Sequence, residues 1–429
     1  MNCLACGSIG LFDSEKELKE FGTDVVLKIC GQCGSGTFSP LPTIDYRTHT
    51  NSDYDLRDYV ELNANIGFLA GSILRLIDQR PPGRLLDIGC GFGFAADSVR
   101  RLLGWEVVGF EPSRYGVRGA EILGVDIRPE YLTADHPMAQ QKYDVIHVSE
   151  VIEHIEEPQS FIAFLASLLS EDGMIIASTP DISVLDNDAM SRSIKLSVLS
   201  IGAHTVLFSR SGLEQLFESV GLSNIHCELR GTSHLIVASK VPYKKPKRSM
   251  EEFYEAYLRS LIEVDAMDPM LEMGVVSRLF SFYVNHGQFD KADPLLERVI
   301  KLSDVSHPIS NFDAFLENTT TIVPYIYYYI GMHYYAYKGN YELSRFYFLL
   351  CWQISIEKIR RRPAVSVVES DLLWRSFLHY GLSCEALGDD SDAQSAYARL
   401  QMDGGRDLPS VQSDVRSRAK ERYRNPNGS

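Results

Sequence analysis

Leu85-Leu86-Asp87-Ile88-Gly89-Cys90-Gly91-Phe92-Gly93 is an apolar run that opens into G-x-G-x-G, and the sequence after it has helical character. A strand feeding a glycine-rich turn and then a helix is a phosphate- or nucleoside-binding arrangement. Glycines allow the backbone to approach a ligand, and the helix N-terminus favours an anionic group. Glu111 stands twenty-two residues after Gly89, closing the next apolar run, VVGFEPS. A carboxylate placed there can hold the two hydroxyls of a ribose. The third glycine is Gly93 and position 94 is Phe, so the dinucleotide fingerprint G-x-G-x-x-G/A is not met. That argues against a nicotinamide oxidoreductase.

Working outward, LLDIG, WEVVGF, YDVIHVS, GMIIAST and HLIVAS are short apolar runs separated by stretches of 3.6-residue periodicity. This alternation predicts an α/β domain over 84–240: a doubly wound, mainly parallel sheet with helices on both faces. Before it, residues 41–83 read as a connector and then a helix through Leu62, Ile66, Leu69, Ile73, Leu74 and Ile77, stopped by Pro81-Pro82-Gly83. After it, VPYKKPKRS (241–249) reads as a solvated linker. Residues 250–409 are helical throughout, and the polar tail 410–429 is expected to fray.

A weak repeat runs through the helical region. Gly287, Gly339 and Gly388 are each followed, at spacings of 5, 4 and 3, by Ala292-Leu296-Val299, Ser344-Phe348-Cys351 and Ala393-Tyr397-Leu400. A glycine that reverses two antiparallel helices, with small residues admitting close approach, resembles degenerate tetratricopeptide repeats. The turns lie 52 and 49 residues apart rather than 34, so unrelated helical hairpins are the alternative. The Tyr325–Tyr329 stripe reads as helix packing. The region is expected to order a homo-oligomer, hold a protein partner or receive a long acceptor.

Cys3-x-x-Cys6 and Cys30-x-x-Cys33 give C-x2-C-x23-C-x2-C within the segment 1–40, which is too short for a core of its own. Two such pairs can close a tetrahedron of thiolates around zinc. Four protein ligands leave no open position, so the expected zinc is structural. Gly7, Gly31 and Gly34 follow cysteines directly, where tight knuckles call for positive φ.

At four points in order, the middle of the chain resembles the class I S-adenosylmethionine-dependent methyltransferases. LLDIGCGFG is similar to their first motif and VVGFEPS to their second. YDVIHVSEVIEHI with EEPQSFIAFLASLLSEDGMIIASTP resembles their fourth strand, helix and fifth strand. HTVLFSRSGLEQLFESVGL resembles a late segment of the subgroup that methylates sugars and small metabolites, ubiquinone-pathway O-methyltransferases included. N-terminal cysteine pairs also occur in some sugar methyltransferases. The resemblance covers about 84–240, and the helical region departs from it. It implies that Gly89, Gly91 and Gly93 line the methionine end of S-adenosylmethionine, that Asp87 steers its amino group, and that Glu111 holds the ribose.

Methyl transfer from a sulfonium needs alignment of the acceptor, plus proton removal where the acceptor is a hydroxyl. Ser149-Glu150-Val151-Ile152-Glu153-His154 follows the fourth apolar run, where open α/β sheets place ligands. Glu153 and His154 suit a base or a substrate hydrogen bond. A turn network is the alternative, and the ubiquinone-pathway resemblance adds Mg²⁺ as a third. His204, in the late segment, is a second candidate base, with a histidine satisfied by backbone as the alternative. Asp181 could also face the acceptor. Tyr46, Tyr54 and Tyr59 lie in the connector, where ordinary packing is expected and stacking over the cofactor is the alternative.

The 57 acidic against 42 basic residues, a net charge of −15, oppose binding to nucleic acid or anionic membranes. No apolar run approaches a membrane span. MNCLACGSIG lacks the pattern of a secretory leader, so a cytoplasmic enzyme is expected. Its expected acceptor is a sugar, nucleotide sugar or glycan, methylated on O or C. Another small metabolite, or an inactive interaction scaffold, are the alternatives.

Overall fold

The computed structural model describes residues 2–10, 12–47, 52–62, 66–244, 247–263, 267–303, 312–362, 366–402 and 408–423. Parts of the connector (48–51, 63–65), of the 241–249 linker (245–246) and of the tail (424–429) lie outside them. The chain forms two compact units. One comprises 1–52, 65–190 and 198–260; the other comprises 53–64, 191–197 and 261–429. Among the described residues no helix is long and apolar enough to cross a membrane.

The strands of the first unit are β1 (Phe12–Glu17), β2 (Val26–Cys30), β3 (Gly36–Ser39), β4 (Arg84–Ile88), β5 (Glu106–Phe110), β6 (Ile127–Arg128), β7 (Tyr143–Ser149), β8 (Leu169–Pro180), β9 (Val206–Leu207), β10 (Asn224–Arg230) and β11 (Ser233–Ser239). Seven make one sheet in the order β10-β11-β8-β7-β4-β5-β6. The β4–β5, β4–β7, β5–β6 and β7–β8 pairs are parallel, whereas β11 runs antiparallel to β8 and β10. From β4 the chain builds outward on one side through β5 and β6, then crosses to build β7 and β8 on the other. The strand order therefore reverses between β4 and β7, and an open sheet leaves a crevice outside the carboxyl ends of those two strands.

The five expected strands are all present, because strands covered on both faces read as unbroken apolar runs; the last of them, β11, is antiparallel to its neighbours. β10 left no such trace. It is an edge strand in which Cys227 is the one buried side chain. The helix Ile66–Ile77 buries Ile73, Leu74 and Ile77. The linker does not mark the boundary between the units, since Met250–Ile262 belongs to the first unit as far as Ser260. Tyr257 donates to buried Asp97 at 2.9 Å, and Arg100 and Arg101 pair with the same carboxylate.

In the second unit, Pro269–Asn285 with Phe289–Leu302, Ile322–His333 with Tyr341–Arg361, and Val367–Ala386 with Asp390–Gln401 are successive helical hairpins. Gly287, Gly339 and Gly388 sit at their turns with φ of 65°, 62° and 77°. The nine repeat residues that follow these glycines are all buried. A Cβ on Gly331 would lie 2.8 Å from the Phe348 ring, and one on Gly381 equally close to the Tyr397 ring. The tyrosine stripe packs as expected: Tyr327 is buried and donates to the Ser303 carbonyl at 2.9 Å. The tail does not fray throughout. The helix Ser413–Arg422 buries Val415 and Ala419, Arg422 pairs with Glu385, and Trp374 donates to the Pro409 carbonyl.

These close approaches make a stability prediction. Gly331→Ala and Gly381→Ala should each destabilise the protein by about 1–3 kcal/mol through overpacking. Ser395→Ala, at an exposed helical position, should stay within about 0.5 kcal/mol. Denaturant melts of the three variants test this, and equal effects at all three sites would contradict it.

Candidate active site

All three loop glycines lie in the left-handed region, Gly89, Gly91 and Gly93 having φ of 66°, 53° and 88°. At Gly89 there is also no room for a side chain, because a Cβ would meet Val151 of the loop after β7 at 2.4 Å. The loop is tied to β5. Gly89 N–H donates to the Phe110 carbonyl at 2.8 Å, and Gly91 N–H donates to Glu111 Oε2 at 3.1 Å. Ser113 N–H donates to Glu111 Oε1 at 2.9 Å. Both oxygens of this buried carboxylate therefore accept backbone donors, and each keeps a lone pair for a ligand. Pairing of β4 with β5 brings Glu111 to the glycine loop, as the spacing suggests.

Asp87 is buried one strand over from His147, its register partner on β7. Asp87 Oδ1 lies 2.8 Å from His147 Nδ1. Asp87 Oδ2 is buried with no hydrogen-bond partner. Sequence reasoning passed over His147 because a lone histidine in an apolar strand has no motif around it. The signal was topological: neighbouring parallel strands set it beside Asp87.

On the acceptor side, Glu153, His154 and His204 come together, their potential ligand atoms all within 4.8 Å of one another. The two rings meet edge to face with centroids 4.7 Å apart. His154 Nδ1 is 3.0 Å from the Ala203 carbonyl and 2.9 Å from the Tyr46 hydroxyl. His204 Nδ1 is 3.0 Å from the Val198 carbonyl. A carbonyl only accepts, so each Nδ1 carries the proton and each Nε2 presents a lone pair. Glu153 Oε2 accepts from Thr179 at 2.9 Å, while buried Oε1 has no partner and lies 4.0 Å from His154 Nε2.

Burial governs the protonation of this group. It lowers His154, and together with the neighbouring His154 it pushes His204 down to about 3. Burial and the nearby Glu150 raise Glu153 well above the usual carboxylate range. Two neutral imidazoles therefore face a carboxyl that resists ionisation. With two nitrogens among three donors, the cluster does not offer the oxygen-rich set that Mg²⁺ prefers. Glu150, at positive φ (54°), accepts from Ser178 at 2.8 Å.

Tyr46 is more than connector packing, since its hydroxyl touches His154; burial, then Glu153, pushes it up to about 12. Tyr54 and Tyr59 sit instead in the helix Asp53–Leu62 of the second unit. Asp181 is occupied elsewhere. It caps the following turn through Ser183 N–H and pairs with His234 at 3.2 Å. Burial works against charge on His234, yet Asp181 and Cys227 hold it up at about 9.

The four cysteines converge. Cys3 Sγ lies 3.7 Å from Cys33 Sγ, and Cys6 Sγ 3.7 Å from Cys30 Sγ. Sulfurs bound at about 2.3 Å to one tetrahedral zinc would stand about 3.8 Å apart, so the donor set fits that ion. Gly7 and Gly34 take φ of 76° and 75° and donate to the carbonyls of Cys3 and Cys30. Gly31 does not take the expected positive φ. A Cβ there would meet the exposed Asp13 carboxylate, which would have to turn aside. The knuckle is joined to the acceptor side through β3, which pairs with β9. Just before β9, Thr205 N–H donates to the Glu153 carbonyl at 2.7 Å, and Phe38 N–H donates to the Thr205 carbonyl at 3.0 Å.

A family model described as a methyltransferase domain matches residues 61–227. The chain carries a class I S-adenosylmethionine-dependent methyltransferase domain. Among curated proteins, it is 32% identical over 131 residues to a ubiquinone biosynthesis O-methyltransferase of Caulobacter sp., covering 29% of this chain and 48% of the relative. It is 27% identical over 127 residues to one of Rhodopseudomonas palustris, covering 27% and 49%. The chain thus spans about half the length of these relatives. Among solved structures, a SAM-dependent methyltransferase of Archaeoglobus fulgidus aligns with 43% of this chain and 99% of its own, at 15% identity and a TM-score of 0.35. An O-methyltransferase family protein of Burkholderia thailandensis aligns with 46% and 62%, at 14% identity and a TM-score of 0.37.

The depressed His204 makes stability depend on pH. Its folded value, about 3, lies below the 6.5 of the free side chain, so the unfolded chain binds more protons between those limits. Stability held by neutral His204 is complete above about 6.5 and is lost as pH falls towards 3. His204→Phe should remove that dependence, sparing on the order of 2 kcal/mol of the acid destabilisation between pH 7 and 4.5. Calorimetric melts across this range test it, and parallel curves for variant and wild type would contradict it.

Proposed function

We propose that the protein transfers a methyl group from S-adenosylmethionine to a hydroxyl of a small-molecule acceptor. The observation that carries this reading is the pair of Nε2 lone pairs on His154 and His204, outside the carboxyl end of β7 and beside Glu153. The cofactor supplies an electrophilic methyl carbon on a positively charged sulfur. The glycine loop leaves backbone space for it, Glu111 offers spare lone pairs to a diol, and Asp87 Oδ2 offers an acceptor to an ammonium group. A neutral imidazole can take the acceptor's proton as the oxygen attacks. Burial keeps both imidazoles uncharged, and the strong depression of His204 leaves His154 the better base of the two. The names of the curated relatives favour O-methylation of a small molecule; sugar and nucleotide-sugar hydroxyls form one acceptor class within that reading, and phenols another.

The test is transfer of labelled methyl from S-adenosylmethionine to a panel of phenols, sugars and nucleotide sugars. His154→Ala and His204→Ala should each be folded, and the one that serves as base should lose roughly 10²–10⁴-fold in kcat while binding S-adenosylhomocysteine as wild type does. Activity retained by both variants, or transfer to protein or RNA alone, would contradict the proposal.

We also infer that Cys3, Cys6, Cys30 and Cys33 hold one structural zinc ion. The Ser8 hydroxyl, 3.2 Å from both Cys6 and Cys30 sulfurs, supports this as an outer partner for thiolates. Purified protein should contain about one zinc per chain by elemental analysis. Cys30→Ser should lose the metal and melt several degrees lower. Metal-free protein of unchanged stability would rule the zinc out.

A further inference from the structure

Asp87 has a part in the chemistry above, but its buried partner His147 has none. Asp87 lies on β4 and His147 on β7, the two strands between which the sheet order reverses. Both side chains are buried. Asp87 Oδ1 is taken by His147 at 2.8 Å, while Oδ2 is buried and has no donor. A buried carboxylate oxygen without a partner is costly, so the arrangement calls for a donor from elsewhere. The other carboxylate at this loop does not share the vacancy, since Glu111 accepts backbone N–H groups on both oxygens. Asp87 precedes Gly89 by two residues, near the carboxyl end of β4, where open α/β sheets place ligands. An ammonium group, with three donors and a positive charge, meets the need that a ribose hydroxyl meets less well.

We propose that His147 is a positioning residue for the cofactor. By holding Asp87 Oδ1, it fixes the carboxylate rotamer so that Oδ2 points at the amino group of the cofactor's methionine moiety. This rests on the methyltransferase reading above. It adds that one specific residue of β7 governs recognition of the amino-acid end and not of the nucleoside end. Without the imidazole, Asp87 loses its only described side-chain partner, and its carboxylate is free to turn and to find other donors.

Two ligands separate the ends. S-adenosylhomocysteine carries the amino acid group; 5′-methylthioadenosine has the same nucleoside thioether without it. Titration calorimetry should show wild type binding both. His147→Leu should weaken S-adenosylhomocysteine roughly 10- to 100-fold, the range for losing control of a charged hydrogen bond, and leave 5′-methylthioadenosine within about threefold. His147→Gln, whose amide can still donate to Asp87, should recover most of the loss. Asp87→Asn should reproduce the selective loss and keeps the test available should His147→Leu fail to fold. Equal weakening of both ligands by these variants, or unchanged S-adenosylhomocysteine affinity in folded His147→Leu, would overturn the proposal. Wild type binding neither ligand would overturn the methyltransferase reading and this inference with it, which is a different outcome from selective or unselective loss.

Discussion

Parallel pairing of β4 with β7 is the constraint from which the site follows. The chain leaves β4 in one direction to make β5 and β6 and returns on the other side to make β7 and β8. The connections after β4 and β7 therefore diverge and leave a crevice at the carboxyl ends of those strands. The same pairing sets Asp87 beside His147 and brings Val151 against Gly89. Gly89 answers that contact, for a side chain there would push the two loops apart. Asp87 and Glu111 are thus separated along the chain from Glu153 and His154 and joined to them by one strand pair.

A second tie fixes the acceptor side. The cysteine knuckle sits at one end of a small sheet, β1-β2-β3-β9, whose last strand comes from the late segment of the methyltransferase domain. His204 immediately precedes Thr205, which donates to the Glu153 carbonyl, and β3 grips the same stretch through Phe38. A segment too small to fold on a core of its own is built into the unit it serves. The N-terminal residues are thereby hydrogen-bonded to the stretch that follows His204 and meets Glu153.

Much of this was legible in the amino-acid sequence, for identifiable reasons. β4, β5, β7, β8 and β11 are covered on both faces and read as apolar runs. The hairpin turns of the second unit announce themselves because Gly287, Gly339 and Gly388 adopt a backbone conformation that other residues resist. The 5-4-3 spacing survives because each of those positions is buried. What failed to show depends on contacts distant in sequence. β10 is an edge strand with a single inward side chain; His147 and Tyr46 matter only through partners sixty and more than a hundred residues away. The tail looked free because its polar composition hides two small anchors, Val415 and Ala419.

On the proposed reading, the bend at 89–93 receives an amino-acid-bearing nucleoside at the carboxyl ends of β4 and β7. A crystal structure of the protein grown with S-adenosylhomocysteine tests it most directly. The ligand's ammonium is expected on Asp87 Oδ2, its ribose hydroxyls on Glu111 and its sulfur facing the space before His154 and His204. A ligand bound elsewhere, or a crevice filled by the protein's own side chains with the ligand excluded, would contradict it.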